Sequence, residues 1–378
     1  MTTRTISRLP APTWRWLKMN DVSLPLPSVL PAAACKVQAP AAFCADAGDA
    51  FAAVEAGCSG EKAQERKDLE ACFAAIKTGC GAAIDAALAE AGRERQVIRV
   101  EGTQKAPVKV SLSFEGDGAA AFGVTLAPES EAVLIMDAAS DGEARGTGLV
   151  QTKIVAGRGA QLTLVQVLRA GASFTLVNDV GAFCEEKAAV KVVHLILGGG
   201  RVYMGCLADL AGNGSSLQAD VGYRVCGSDL LDMNYVALHR GRRTESGIRA
   251  AGVLRDQASK LFRGTIDLQN GCAGAVGNEQ EDVLIIDDTA SNRTIPLILC
   301  AEEDVVGNHG ATIGRPDEDM MFYMASRGLS EEDIYAILSR ARLDAVIRLI
   351  PDEGTRQAVQ AELGGETDPT AEKEDQDD

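Results

Sequence analysis

From about residue 95 the chain is written in short apolar runs: Val97–Val100, Val108–Phe114, Phe122–Leu126, Ala132–Met136, Gln161–Leu168, Val190–Leu197, Leu217–Val225 and Met233–Leu238. Gly, Asp, Asn or Ser separates most of them, at a spacing of roughly a dozen residues. Strand-length runs at that spacing predict an all-β body. Periodicity alone leaves a sandwich and a parallel β-helix both open. Composition agrees with many corners and few large side chains, since 39 glycines stand against only 4% aromatic residues. The glycines of Gly198–Gly200 and the stretch Gly200–Met204 read as tight corners. No Gly-Lys-Ser/Thr follows them, so they are not a phosphate loop.

The flanks have a different texture. Residues 1–30 are punctuated by proline and carry Trp14 and Trp16 around Arg15, which suits a segment anchored on the body. Residues 41–92 are alanine-rich and read as two or three short helices. Leu69, Cys72, Phe73 and Ile76 fall at one helical face, and Gly57, Gly79 and Gly92 sit where helices would stop. After residue 314 the pattern turns helical again. Pro316 and Asp317 open a segment that Gly328 closes. Ser330 and Asp333 have capping-box spacing, and Ile334, Ile337, Leu338 and Ala341 would line the buried face of a helix that Pro351 ends. A further helix is expected over Thr355–Leu363. The resulting organisation is an anchoring and helical region at 1–94, a β core at 95–315, a helical domain at 316–364 and an acidic tail at 365–378.

Charge and cysteine usage narrow the partners. The net charge of -17 disfavours nucleic acid. The tail 365–378 holds seven acidic residues against one lysine, and reads as solvated. Ten cysteines are scattered with no CxxC pair, and no apolar leader opens the chain. These features fit a cytoplasmic protein with reduced thiols, many of them small core residues, with Cys226, Cys272 and Cys300 among them. No run approaches the roughly 18 apolar residues of a membrane helix, so no membrane partner is expected.

Three histidines limit the chemistry. His194 lies in an apolar run and reads as a core residue. His239 precedes Arg240-Gly241-Arg242-Arg243 and reads as a solvated strand end. His309 sits among Gly307, Gly310 and Ala311, so its imidazole is free to reach a partner or a metal, or to hold a turn. No nucleophilic triad, dinucleotide fingerprint or iron–sulfur ligand run is present. Acidic pairs such as Asp287-Asp288 do not establish a glycosidase. By itself the chain looks like a scaffold without a self-contained active site, not an enzyme.

Several blocks in a fixed order carry a resemblance. Phe262-Arg263-Gly264-Thr265-Ile266 is similar to an F-x-G-x-I motif, and Pro296-Leu297-Ile298-Leu299-Cys300, with Asp304-Val305, to a P-x-L-x-I…D-V stretch. Asn308-His309-Gly310-Ala311-Thr312-Ile313-Gly314 resembles an H-G-A-T-x-G block. Met321 to Leu329 resembles an F-Y-x-x-S-R-G-[IL] element, and Trp14-Arg15-Trp16-Leu17 adds a short match. Together they resemble the SufB/SufD family of iron–sulfur cluster assembly proteins, most closely its SufD branch.

The resemblance implies a mainly β fold, a right-handed parallel β-helix flanked by N-terminal and C-terminal helical segments. It implies a non-catalytic scaffold subunit that pairs with a SufB-like subunit, or with itself, and docks a SufC-like ABC ATPase on the helices at about 316–350. Met321, Phe322, Tyr323, Arg327 and Gly328 are the docking candidates. His309 would face a partner cysteine and help hold a transient iron–sulfur cluster, with no cofactor kept by this chain alone. Gly307 and Leu299 stand where family members carry a Cys and a Glu, so the motif itself brings neither a thiolate nor a carboxylate to His309. A carbohydrate-active β-helix enzyme and a homomeric structural β-helix remain the competing classes.

Overall fold

The computed structural model describes residues 1–13, 15–38, 61–104 and 106–364. The expected acidic tail, the first part of the alanine-rich region and Trp14 lie outside the described residues. The chain opens with β1 (Thr2–Ile6), a 3-10 turn (Arg15–Leu17), β2 (Val22–Leu26) and β3 (Ala34–Gln38). Helices α1 (Glu61–Ala75) and α2 (Ala82–Glu90) follow. The body is then β4 (Arg95–Val100), β5 (Val108–Phe114), β6 (Gly118–Leu126), β7 (Glu131–Ser140), β8 (Gly146–Ala156), β9 (Gln161–Arg169), β10 (Phe174–Cys184), β11 (Ala189–Ile196), β12 (Arg201–Leu210), β13 (Ser216–Val225), β14 (Leu230–His239), β15 (Glu245–Leu254), β16 (Ser259–Leu268), β17 (Ala275–Ile285), β18 (Ser291–Cys300) and β19 (Val305–Gly314). Helices α3 (Glu318–Ser326), α4 (Glu331–Ile347) and α5 (Glu353–Gly364) close it.

The even strands β4 to β18 stack into one parallel sheet and the odd strands β5 to β19 into a second, which β3 extends antiparallel to β5. The chain alternates between the two sheets, making a parallel β-solenoid of about eight turns. This is the mainly β, helix-flanked β-helix that the motifs imply. Each coil sets its inward side chains on those of the coil before. One inward column runs Leu126, Ala156, Cys184, Leu210, His239, Leu268 and Cys300. His239 is therefore buried in the lumen, not solvated at a strand end. Its Nδ1 and Nε2 lie 2.7 and 2.8 Å from the Thr244 and Ser246 hydroxyls, and burial lowers its pKa to about 4. His194 is buried as expected, 2.5 Å from the Tyr235 hydroxyl through Nδ1.

Both sheets are covered on their outer faces as well, which explains strands that are apolar on successive residues. On the even sheet, Ile6, Leu24, Leu26 and Leu30 with Cys80, Ile84 and Leu88 pack on Ala119, Ala121, Leu149, Val177 and Tyr203. The linker between α1 and α2 lies flat there because Gly79 has no side chain: a Cβ would fall 2.0 Å from the Cys206 nitrogen. On the odd sheet, Leu343, Val346, Ile347, Ile350 and Val359 cover Ile135, Val165, Val167, Val193 and Leu195.

Helix boundaries follow their caps. Asp317 accepts from the Asp319 nitrogen at 3.0 Å and opens α3, and Ser330 and Asp333 form the expected capping box of α4. The buried face of α4 is Ile334, Tyr335, Leu343, Val346 and Ile347, whereas Ile337 is exposed and Ala341 faces solvent. The odd sheet is met by a stripe rotated from the one that spacing alone selects. Phe73 on α1 and Ile76 just beyond its end are buried, but Cys72 is exposed. Residues 201–204 begin β12 and are not part of a corner, which is confined to Gly198–Gly200. Among the described residues no helix is long and apolar enough to cross a membrane.

Candidate functional site

The two ends of the solenoid differ. At the first, β3 pairs with β5. At the last, among the described residues, β18 and β19 are paired on one side only, as β4 is at the first, and each leaves a row of backbone donors and acceptors without a ladder partner there. Most of β19 is exposed, Val306 and Ile313 at 48% and 51%.

His309 lies in this last strand, not in a turn. Its register runs back through the inward column Val108, Leu134, Leu164, Val192, Ala219, Ile248 and Glu279. The six positions before Glu279 are core hydrophobics. The column thus changes from apolar to ionisable in its last two coils, with a buried carboxyl below and an exposed imidazole above.

Glu279 is 4% exposed, and its Oε2 has no hydrogen-bond partner. Burial first, then the charge of Glu281, pushes its pKa up to about 7, with Lys260 opposing. Its carboxyl fills the space over Gly264, where a Cβ would stand 2.4 Å from the Glu279 Cδ. The F-x-G-x-I glycine is therefore a cradle for this acid. Glu281, two residues on, is fully buried but partnered: it pairs with the Lys260 ammonium, and the Thr294 hydroxyl donates to its Oε2 at 2.5 Å.

The thiols are placed unevenly. Cys272 is buried, Cys226 half-buried and Cys300 exposed, so only the first is the core residue expected. Cys300 donates to the Glu302 carbonyl at 3.1 Å. Among the described residues no three His, Cys, Asp or Glu side chains come together to hold a metal ion.

Of the docking candidates, Met321, Phe322 and Tyr323 lie on α3, and Arg327 and Gly328 form its C-terminal exit. Phe322 and Tyr323 are 77% and 57% exposed, Met321 is half-buried, and the Arg327 guanidinium stands 5.0 Å from the centroid of the Tyr323 ring. Gly328 takes φ +89° and lets the chain leave the helix. None of the residues of α3 is buried. Sequence reasoning missed Glu279, because its tie to His309 spans thirty residues and is visible only in register.

These features define a helix-flanked parallel β-solenoid whose last coil presents an imidazole at an open edge. The chain belongs to the SufB/SufD family: the family profile described as SUF system FeS cluster assembly, SufBD core domain, matches residues 117–342. It is similar to the iron–sulfur cluster assembly protein SufD of Bacillus subtilis, 26% identical over 212 residues, covering 55% of this chain and 48% of that one. It is also similar to SufD of Escherichia coli, 29% identical over 112 residues, covering 30% of this chain and 26% of the relative. The chain thus spans at most about half the length of these relatives.

Proposed function

We propose that this chain is a non-catalytic scaffold subunit of an iron–sulfur cluster assembly complex, and that its uncapped end is half of a site completed by a SufB-like subunit. The observation that supports this most is the pairing of an open solenoid end with an exposed His309 in a chain that brings no three metal donors together among its described residues. A cluster takes about four ligands, mostly thiolates. A neutral imidazole is a competent iron ligand, so His309 is a donor that needs a partner's thiolates. The cluster is cargo here, passed on after assembly.

A SufC-like ATPase would dock on α3 through Phe322, Tyr323 and Arg327. The path from that helix to the open end runs through α4. Arg342 of α4 pairs with Asp282 of β17, the strand that carries Glu279, and Tyr335 packs with Val253 and Leu284. Nucleotide would act by binding one arrangement of the helices more tightly than the other.

A carbohydrate-active enzyme has less support. The open groove on the odd sheet, about 760 Å³, has Glu131 and Glu245 as its only carboxylates. They stand four coils apart in register, or about 19 Å at ~4.8 Å per coil. Glycosidase pairs work at roughly 5–10 Å.

The test is cluster reconstitution in the complex with His309→Ala. The expected result is at least a tenfold fall in cluster formed at equal protein. Reconstitution at the unmutated rate and yield removes His309 from the site.

A further inference from the structure

We infer that Glu279 is a second donor contributed by this chain, directly below His309, to the iron handled at the open end. This rests on the reading of His309 as a ligand and deepens it: the chain would bring an imidazole–carboxylate pair to the seam. Three observations meet at Glu279. It occupies the same inward column as His309 on the adjacent coil, and neighbouring coils are about 4.8 Å apart, so the two side chains start from backbones close enough to converge on one ion. Its Oε2 is buried and without a partner, whereas Glu281 beside it is satisfied by Lys260 and Thr294. A buried, unpartnered carboxylate oxygen costs free energy unless a donor or a cation meets it. The space for it is built in, because any side chain at position 264 would stand against the carboxyl, and Gly264 has none.

On β19 the cover over the carboxyl is small, while on β18 the register stacks Pro296 over Gly264. Gly307 and Ala311 are the inward residues on either side of His309 in β19. On the β19 side, an ion held by His309 could therefore approach Glu279 past small side chains. Nitrogen and carboxylate oxygen together suit a divalent ion of intermediate hardness, such as ferrous iron, better than they suit a cuprous one. Such a pair would receive ferrous iron at the seam while a partner's thiolates supply the softer donors.

The probe is Co2+, titrated into the metal-stripped complex of the full-length chain with its copurifying partner and followed by its visible d–d absorption. The unmutated complex should develop the band. His309→Ala should lose it. Glu279→Gln, which keeps the side-chain shape, should weaken Co2+ binding by about tenfold or more, with unchanged circular dichroism and melting at least as high as the parent. Loss in His309→Ala with parental affinity in Glu279→Gln overturns the role of Glu279 and leaves the His309 reading intact. A band untouched in both variants overturns the His309 reading itself, and this inference with it.

Discussion

A chain carrying Tyr323→Ala together with Arg327→Glu is expected to lose copurification with the SufC-like ATPase proposed as its partner while remaining folded. Phe322 and Tyr323 are 77% and 57% exposed on a helix that buries none of its own residues. An apolar helix face left in water marks an interaction surface. Aromatic and arginine anchors at the centre of an interface are each commonly worth about 2 kcal/mol or more. Removing the ring, and reversing the charge that lies 5.0 Å from it, should reduce affinity by several hundredfold or more, beyond what survives a wash. Since the side chains touch solvent and each other, melting should change little. Pull-down of a tagged chain reads this directly, and undiminished recovery of the ATPase would place docking on another surface.

The second large effect concerns the fold. Arg263→Met is expected to destabilise the chain by about 3–5 kcal/mol, because it leaves one member of a buried ion pair alone. Arg263 is fully buried on the outer face of the even sheet. Its Nη1 donates to Asp232 Oδ1 at 2.6 Å and its Nε to the Met19 carbonyl at 2.7 Å. Burial raises the pKa of Asp232, and the Arg263 charge opposes that shift. The guanidinium therefore pins the N-terminal segment to the body, beside Leu9, Met19, Leu261 and Ile295. Urea unfolding should show an earlier midpoint, and adding Asp232→Leu should recover much of the loss by removing the stranded charge. A single variant as stable as the parent would mean that the pair does not hold the segment.

Much of the solenoid is legible in the sequence, and the illegible parts share a cause. The run Val108–Phe114 coincides with β5, and Gln161–Leu168 lies within one residue of β9. These strands alternate visibly, or end at clear turn residues. β8 and β10 are buried on both faces and include Lys153, Asn178 and Asp179, so neither alternation nor apolar content marks them as strands. Lys153 is tolerated there because its ammonium lies 2.7 Å from Asp85 and 2.9 Å from the Phe73 carbonyl, contacts from another part of the chain. His239 looked exposed because of the basic turn beside it, yet one coil of register puts it in the lumen.

The site was half legible for the same reason. His309 could be singled out because its neighbours are small, and its motif is compact. Glu279 belongs to the same column, but register, not proximity in sequence, joins them. Coil length also varies, from 26 residues between Arg95 and Ala121 to 32 between Lys260 and Asn292, so no fixed repeat exposes the columns. The structure adds what spacing lacks: which residues point inward, and that among the described residues nothing is stacked in register on the last coil.

On the function proposed above, the described residues bring too few donors to hold a cluster, and the site is completed only across a subunit boundary. Anaerobic reconstitution with ferrous iron and sulfide, followed by desalting and visible absorption, distinguishes the two cases. The chain alone should retain no cluster chromophore, and the chain copurified with a SufB-like partner should retain one. A stable chromophore on the isolated monomeric chain would contradict the account.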